Sequence, residues 1–469
     1  MTFRRTTILA ATMLLAGWGV SCSPERIVDN ATLPPDVADP GLTKTPAGAV
    51  AAYHGTLSLF NSVFAGYYLG GTIQASFVPA SGVMSDELRD GAFGAAIGVF
   101  TPIMPLDSRV APECGFAVPT ASCNEQYYDA LYSGLQRVRA NANEARGLLT
   151  HYAPASLRAL TGHLYALSAY AETFLADMFC SGIPLSTLDY DGNYTLKPGS
   201  TTDEVYQHAI LFFDSALTLA ADSDRVMNLA RIGKGRVLLD LGQYAMAAQT
   251  VANVPDGFTY REMYTALSPS GASTPSQRNF AYYQSGAWGI TAVDTEGGTG
   301  LNFRSSGDSR TAATALTVAS QFGDTLYHPN KYASDGTTPV VVADWIEARL
   351  IEAEASLQAG DFPGWLSTLN HLRETATTPA LADVTDPGTP DARVDLMFRE
   401  RAFWLYLTGH RQADLRRLIR QYGRPASSVY PTGKYRGGTG SYGVDVNAPI
   451  PAREREGNTS FTGCLNRGA

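Results

Sequence analysis

The positions of apolar side chains along the chain predict a mostly helical protein. Thr45 suits a helix N-cap and Pro46 the first helical position, and an apolar stretch then runs from Ala47 to about Phe64. Residues 124–149 and 154–179 repeat Ala, Leu and Tyr every three or four positions, which is the spacing of one helix face. The second of these has one apolar stripe, formed by Leu157, Leu160, Leu164, Leu167, Tyr170 and Phe174. Another helix is predicted from Thr202 to about Ala220.

Two later segments, residues 231–244 and 349–362, resemble each other at a constant offset of 118 residues. Each predicts a helix that ends at a glycine, Gly242 or Gly360, which suits the left-handed residue at a helix C-terminus. An aromatic residue then begins a second helix. This pattern resembles the tetratricopeptide (TPR) helix-turn-helix repeat. Because only two copies are clear, we expect an irregular TPR-like α-α superhelix.

The helical period is lost in four long stretches that are rich in Gly, Ser, Thr, Pro and aromatic residues: 65–123, 180–200, 255–307 and 424–469. Long loops inside a compact domain are more often functional than idle. Strand is predicted only at Val340–Val342 and in parts of 280–305. The predicted fold class is therefore mostly α, with long loop insertions and little strand.

The first 21 residues have the features of a secretory signal: basic Arg4 and Arg5, then an apolar run, then a small residue. The apolar run is short for a membrane span, which needs about 20 residues. Cys22 directly follows Ser21, as in a bacterial lipoprotein signal, so we expect lipid attachment at Cys22. The alternative is a plain secreted protein cut near residue 22. Residues 22–45 are expected to be a polar, flexible tether, and residues 46–469 a single ligand-binding domain.

The remaining cysteines favour disulfides, because an even number of them follows Cys22 in an exported chain. Cys114 and Cys123 flank a short loop, so we favour their pairing, which leaves Cys180 for Cys464. Three connectivities remain open. Metal binding is the weaker interpretation, because the sequence has no CxxC motif and no histidine cluster.

Charge and motifs exclude several classes of function. The formal net charge of the 469-residue chain is −9, and removal of residues 1–21 takes away two arginines and leaves −11. No Lys/Arg run is present, so nucleic acid is not an expected partner. The sequence also lacks a phosphate-binding loop and the HExxH and GxSxG motifs, so no cofactor and no metal are expected.

The segment 399–418 has the most specific pattern in the chain, and it resembles the C-terminal helix of SusD/RagB nutrient-uptake lipoproteins. The residues that match are Glu400, Arg401, Leu405, Gly409, Arg411, Asp414, Leu415, Arg416 and Arg417. Trp404 and Thr408 stand where the family usually has Glu. Residues 349–362, the following 370–373, and the Pro-Ile-Pro within 447–456 also resemble family motifs, in the family's order.

This resemblance implies a cell outer-membrane lipoprotein, lipid-anchored and surface-exposed, that binds a nutrient. The family usually binds a glycan or oligosaccharide and passes it to a SusC-like TonB-dependent transporter. The implied partners are therefore that transporter, a glycan or other nutrient ligand, and the lipid membrane through the N-terminal anchor. A TPR-type scaffold that binds proteins is the alternative, and an α-helical glycoside hydrolase is a third hypothesis.

No catalytic residue is assigned from the sequence. Glu400 and Asp414 are surrounded by arginines, which favours structural ion pairs over acid–base chemistry, and Arg411 is close enough along a helix to pair with Asp414. Glu352 and Glu354 are a carboxylate pair of the kind that glycosidases use. In a chain with 44 acidic residues such a pair arises readily by chance.

Loop aromatics indicate where a ligand binds, because sugar rings present apolar C–H faces that stack on aromatic rings. Those outside helical stripes are Tyr67, Tyr68, Phe77, Tyr282, Tyr283, Trp288, Tyr430, Tyr435 and Tyr442. We predict Tyr283 and Trp288 as stacking residues, with Tyr68 and Asp86 of the earlier insertion facing them. The alternative is that these rings pack their loops against the scaffold.

The lipid-anchor hypothesis predicts that Cys22→Ser moves the protein from the membrane fraction to the soluble fraction, because the attachment thiol is lost. Fractionation of cells that express each form measures this. A variant that still sediments with membranes would contradict the anchor as the sole means of retention.

Overall fold

A computed structural model describes residues 40–67, 75–91, 103–111, 126–265, 278–282, 290–320, 323–435 and 440–469. In these ranges helices predominate, and every sheet has two strands. The helices are α1 (Pro40–Thr43), α2 (Pro46–Ala65), α3 (Phe77–Met84), α4 (Met104–Asp107), α5 (Gln126–Tyr152), α6 (Arg158–Met178), α7 (Thr202–Leu219), α8 (Asp224–Asp240), α9 (Tyr244–Val251), α10 (Trp345–Gln358), α11 (Phe362–Thr375), α12 (Pro390–Trp404), α13 (Arg411–Arg420), α14 (Ala426–Val429) and α15 (Ala452–Gly457). The predicted mostly α fold class is confirmed. Residues 1–39, with Cys22, lie outside the described residues.

The strands are short and mostly connect loops. They are β1 (Gly66–Tyr67), β2 (Leu88–Asp90), β3 (Ile183–Pro184), β4 (Thr187–Leu188), β5 (Tyr194–Thr195), β6 (Gly199–Ser200), β7 (Thr259–Glu262), β8 (Arg278–Asn279), β9 (Ile290–Ala292), β10 (Ala313–Ala319), β11 (Thr325–Pro329), β12 (Val340–Asp344), β13 (Lys434–Tyr435) and β14 (Gly440–Ser441). β12 contains the predicted strand 340–342 and pairs antiparallel with β7.

Local capping explains where the first long helices begin. The Oγ1 atom of Thr45 accepts the N–H of Gly48 at 3.0 Å, and Pro46 is the first residue of α2. Thr201 and Glu204 form a reciprocal capping box at the start of α7. Such caps satisfy N–H groups that have no partner within the helix, and each contributes about 1 kcal/mol.

Helix α6 is the centre of the scaffold, and its burial exceeds what its sequence pattern predicts. The pattern predicts one apolar stripe, yet every residue from Gly162 to Met178 except Tyr165 is buried. The reason is tertiary, because α5 and α7 both pack along α6. The ring of Phe174 stacks on that of Phe77 with centroids 3.9 Å apart.

Successive helices pack in chain order from α5 to α11, which produces the predicted TPR-like superhelix. The two similar segments form the α8–α9 and α10–α11 hairpins. Gly242 and Gly360 have φ angles of +70° and +77° in the two turns, and Tyr244 and Phe362 begin the second helices. Both features are as predicted, and the two hairpins stack through contacts between α9 and α10.

A disulfide joins Cys180 to Cys464, as predicted, across a sequence separation of 284 residues. Backbone hydrogen bonds reinforce it, because Ser181 donates to Asn466 at 3.0 Å and accepts from Leu465 at 2.7 Å. The C-terminal tail is thereby held against the end of α6. Cys114 and Cys123 lie outside the described residues, so their pairing stays a prediction.

The segment 399–418 is not the single helix that its family pattern predicts. α12 ends at Trp404 and α13 begins at Arg411, with Leu407 at φ +55° and Gly409 at φ +88° between them. The break is stabilised from outside the segment, because the N–H of Leu407 donates to Oε1 of Glu87 at 2.9 Å. The hydroxyl of Tyr332 donates to the carbonyl oxygen of Leu407 at 2.8 Å.

Buried ion pairs fix α13 to the repeat hairpins. The guanidinium of Arg417 donates to both carboxylate oxygens of Glu354, at 2.7 and 2.8 Å. Asp414 accepts from Arg401 at 3.0 Å and from Arg417 at 3.2 Å. Burial alone would raise the pKa of Asp414, but these two cations lower it, so the carboxylate is ionised at neutral pH. The structural interpretation of Asp414 is therefore supported.

The predicted Arg411–Asp414 pair is wrong. Arg411 donates to both oxygens of Asp86, at 2.6 and 2.8 Å, and so connects α13 to the residues that follow α3. Helical spacing made Asp414 reachable, but two other arginines occupy it, and the fold presents Asp86 to Arg411 instead. This long-range pair was not predictable from the spacing within one helix.

Two further buried carboxylates have arginine partners. Glu400 accepts from Arg310 and Arg373, each at 2.8 Å. Glu347 accepts from Arg236 at 2.7 and 2.8 Å. Burial alone would raise the pKa of Glu347, but the charge of Arg236 lowers it to about 2.

Gly409→Ala is expected to lower the free energy of unfolding by about 1–3 kcal/mol more than Gly360→Ala. Both substitutions place a side chain at positive φ, but only at Gly409 would the new Cβ lie 2.6 Å from a ring atom of Phe77. Denaturant unfolding of both variants measures the difference. Equal losses would contradict the close contact between Gly409 and α3.

Arg417→Met is expected to lower the free energy of unfolding by about 3–5 kcal/mol, because it leaves Glu354 buried without its principal cation. Lys44→Met is the control, since Lys44 and Asp191 form an ion pair whose side chains are 46% and 45% exposed. Its loss should have a much smaller effect on the free energy of unfolding, because water screens an exposed pair. Similar small losses in both variants would show that the buried pair is not a stabilising constraint.

Candidate functional site

Two short sheets join the two insertions that were predicted to face a ligand. β1 pairs with β8 and β2 pairs with β9, both antiparallel. The insertion 65–123 is therefore bonded to the insertion 255–307 at two places. β1 ends at Tyr67, the residue before Tyr68, and β9 begins directly after residues 283–289. Tyr68, Tyr283 and Trp288 themselves lie outside the described residues.

The fourth predicted site residue, Asp86, has a structural position. It is 0% exposed, and besides its two bonds from Arg411 its Oδ2 atom accepts the N–H of Leu301 at 2.8 Å. Asp86 thus connects α13, the end of α3 and the loop after β9. In this structure it is enclosed by these partners and presents no surface to a ligand, because both of its oxygens face protein donors.

Glu87, the next residue, is buried beneath the same loops. Burial raises its pKa to about 8, so the side chain is a neutral acid at pH 7. Its Oε1 atom accepts the N–H of Leu407, and its backbone carbonyl accepts the N–H of Val293 at 3.3 Å. The Asp86–Glu87 pair therefore fixes both the helix break and the strand β9.

The C-terminal insertion packs against the same group of loops. The hydroxyl of Tyr435 donates to Oδ2 of Asp107 at 2.6 Å, and Thr299 donates to the carbonyl of Tyr430 at 2.7 Å. Tyr442 donates to the carboxylate of Glu296. We call this connected surface the loop layer, which comprises residues 86–91, 103–111, 290–312, 323–329, 430–435 and 440–446.

The structure separates the loop aromatics into buried and partly exposed groups. Phe77, Tyr430 and Tyr435 are at most 3% exposed, so for these three the alternative of loop packing is right. Tyr282 and Tyr442 are half-buried. The guanidinium of Arg278 lies 4.1 Å from the ring centre of Tyr282, where the described chain meets residues 283–289.

The sequence pattern gave no signal for a stacked pair in the loop layer. The guanidinium of Arg304 lies 3.7 Å from the ring centre of Tyr327, on β11. Thr291 of β9 fixes Tyr327, because its Oγ1 accepts the N–H of Tyr327 at 2.7 Å. Arg304 and Tyr327 are separated along the chain, so only their neighbours in the fold reveal the pair.

Glu352 and Glu354 do not form the facing carboxylate pair that glycosidases need. Glu354 is 0% exposed and is bonded to Arg417 and Tyr422. Glu352 is bonded to Arg349 at the surface. The acid–base interpretation of Glu400 also lacks support, because its carboxylate is enclosed by two guanidinium groups.

The described ranges contain no group of three or more His, Cys, Asp or Glu residues arranged to hold a metal ion. None of the described helices combines the length and apolarity that crossing a membrane requires.

A second concave surface lies between the repeat hairpins. This repeat groove has a volume of about 860 Å³, and alanines of the two hairpins line it, including Ala248, Ala252 and Ala355. Gln243, Gln249 and Ser356 add polar groups to the lining. Met246 on its rim is 50% exposed. The groove follows from the stacking of the two hairpins.

Comparison of the sequence with known families gives one match, to the SusD family, over residues 274–458. This range includes β9, the Arg304–Tyr327 pair, the α10–α11 hairpin and both halves of the broken segment 399–418. No curated protein sequence matches the chain.

Solved structures share the fold at low sequence identity. A SusD superfamily protein from Bacteroides thetaiotaomicron has a TM-score of 0.64 at 14% identity, covering 90% of this chain and 100% of its own. Surface glycan-binding protein A from the same species has a TM-score of 0.61 at 14% identity, with 90% and 99% covered. A SusD-like carbohydrate binding protein from Bacteroides vulgatus has 0.54 at 14%, with 79% and 83% covered. The predicted resemblance to the SusD/RagB family is therefore confirmed, in the sequence of residues 274–458 and in the fold of most of the chain.

Proposed function

We propose that the protein is a nutrient-binding lipoprotein of the outer membrane that captures an oligosaccharide and delivers it to a TonB-dependent transporter. One observation carries the proposal: β1–β8 and β2–β9 bring the two aromatic-rich insertions together on a SusD-like scaffold. Binding sites are commonly loops that a rigid scaffold positions.

Carbohydrate is the ligand class that best fits. Two of the structures with the same fold are a glycan-binding protein and a carbohydrate binding protein. The insertions of this chain place Tyr68, Tyr283 and Trp288 next to the paired strands in sequence. Aromatic faces stack on the C–H faces of sugar rings, and neighbouring polar groups bond the hydroxyls, as in most small-molecule sites.

The proposed site residues are Tyr283 and Trp288 as stacking platforms, with Tyr68 on the opposite insertion. Asp86 has a different role in this proposal. It holds the first insertion to α13 through Arg411 and to the second insertion through Leu301. It therefore positions the ligand-binding loops instead of contacting the ligand.

The remaining parts of the proposal follow from the N-terminus and the family. Residues 1–21 would direct export, Cys22 would carry lipid, and residues 22–45 would link the anchor to one binding domain, residues 46–469. A SusC-like TonB-dependent transporter is the proposed receiving partner. Binding without turnover is proposed, because Glu354 and Glu400 are both enclosed in arginine ion pairs.

The repeat groove favours a second candidate, a TPR-type scaffold that binds a protein segment. The alanines that line the groove and the partly exposed Met246 suit an apolar side chain of a partner. The two candidates make different predictions, because a scaffold needs the groove and not the loop aromatics. Met246→Glu would weaken a protein complex and leave glycan binding unchanged.

Glycan binding is expected to depend on the loop aromatics. Titration calorimetry with an oligosaccharide identified on a glycan array should show that Trp288→Ala or Tyr283→Ala weakens binding by about tenfold or more, with the melting temperature unchanged. That loss corresponds to about 1.4 kcal/mol or more of binding free energy. Tyr194→Ala is the matched control, because Tyr194 is 72% exposed on β5, outside the loop layer.

Two results would contradict the proposed site. Lower melting temperatures with unchanged affinity would show that these rings only pack their loops. Equal losses of affinity in Tyr194→Ala would show that the effect is not specific to the two insertions. Turnover of the bound oligosaccharide would instead support the hydrolase hypothesis.

A further inference from the structure

The guanidinium of Arg304, which stacks on Tyr327, has a donor atom without a hydrogen-bond partner. Among the described residues, no carboxylate lies within 4 Å of the Arg304 guanidinium, and its Nε atom is buried without a hydrogen-bond partner. The residue as a whole is only partly exposed. A buried donor without a partner carries a desolvation cost of about 1–3 kcal/mol.

The arginines of the scaffold show the contrast. Arg401, Arg411 and Arg417 are also removed from water, and each forms a close pair with a carboxylate, whereas buried Arg416 donates to two backbone carbonyl oxygens. In a chain with 44 acidic and 35 basic residues, a guanidinium with no close carboxylate among the described residues is not explained by a shortage of carboxylates. The carboxylate of Asp294 accepts the backbone N–H groups of Arg304 and Ser305, at 2.9 and 3.0 Å.

Strand pairing places the stacked pair beside the proposed ligand loops. The hydroxyl of Thr291 accepts the N–H of Tyr327 and lies 3.2 Å from its carbonyl oxygen, so the two strands are bonded. Thr291 is one residue from Ile290, where the described chain resumes after residues 283–289. Its partner across β2–β9 is Arg89, a second cation on this side of the loop layer.

Arg89 has only a long and partly exposed ion pair. It pairs with Asp324 at 3.4 Å, and the Asp324 side chain is 40% exposed. Water screens such an exposed, long pair, so it contributes little binding free energy. Arg304, on the ring of Tyr327, and Arg89, across β2–β9 from Thr291, are therefore two cations near this strand on a protein of net charge −9.

From these observations we infer that Arg304, stacked on Tyr327, binds the carboxylate of an acidic sugar, so that the ligand class is a uronate- or sialate-bearing oligosaccharide. The inference rests on the proposed function and specifies its substrate class. The tyrosine face fixes the plane of the guanidinium, which reduces the entropy lost on binding. The edge of the guanidinium then offers paired N–H donors with the spacing of a carboxylate.

The test compares charged and neutral forms of one ligand. A glycan array with neutral, sulfated, uronate-bearing and sialylated oligosaccharides selects the ligand. Calorimetry then measures the affinity of the protein for that oligosaccharide and for its derivative in which each carboxyl group is reduced to an alcohol. The wild-type protein is expected to bind the acid form about tenfold or more tightly, with a preference that falls as salt is added.

Arg304→Gln should abolish this preference while the affinity for the reduced ligand and the melting temperature stay unchanged. Arg225→Gln is the matched control, because Arg225 lies 4.3 Å over Tyr260, in the repeat region and outside the loop layer. It should keep the full preference. If Arg304→Gln fails to fold, the comparison of the two ligands on the wild-type protein still decides the inference.

The outcomes separate this inference from the proposed function. Array ligands that are neutral or only sulfated, or equal affinity for the acid and reduced forms, would overturn the carboxylate assignment alone. A preference that persists in Arg304→Gln would overturn the role of Arg304. Binding of no glycan at all would overturn the proposed function and this inference together.

Discussion

The buried pairing of arginines with carboxylates is the constraint on which the rest of the structure depends. Three arginines of the segment 399–418, which contains the helix break, pair with buried carboxylates. They are Arg417 with Glu354, Arg401 with Asp414 and Arg411 with Asp86. A buried guanidinium without its carboxylate costs several kcal/mol, so these partners must meet when the chain folds. Because Glu354 lies on a repeat hairpin and Asp86 in the loop layer, one segment fixes both parts of the protein.

The features that could be predicted from sequence are those that short stretches of chain determine. Thr45 and Thr201 cap helices through their own side chains, and Gly242 and Gly360 end helices because glycine tolerates positive φ. The order of motifs likewise predicted the resemblance to the SusD/RagB family. The Cys180–Cys464 pair followed from cysteine counting, although its partners are 284 residues apart.

The features that could not be predicted depend on contacts between distant residues. Arg411 pairs with Asp86, 325 residues away, so helical spacing wrongly favoured Asp414. The break at Leu407 depends on Glu87 and Tyr332, and no local pattern marks it. Asp86 was predicted as a ligand-facing residue because its loop is polar and aromatic, but its carboxylate is buried against Arg411 and Leu301, so we propose a positioning role for it. Arg304 was missed because its significance depends on its surroundings in the fold, where no carboxylate of the described residues lies close to its guanidinium.

We propose that the buried ion pairs hold the loop layer in place for ligand binding. Hydrogen–deuterium exchange of the Asp86→Asn variant tests this most directly, because the substitution removes one charge and keeps the side-chain shape. We predict faster amide exchange at residues 86–91 and 290–304 and at Leu407, with the protection of α5, α6 and α7 unchanged. Unchanged exchange in the loop layer, or an equal loss of protection in these helices, would contradict the account.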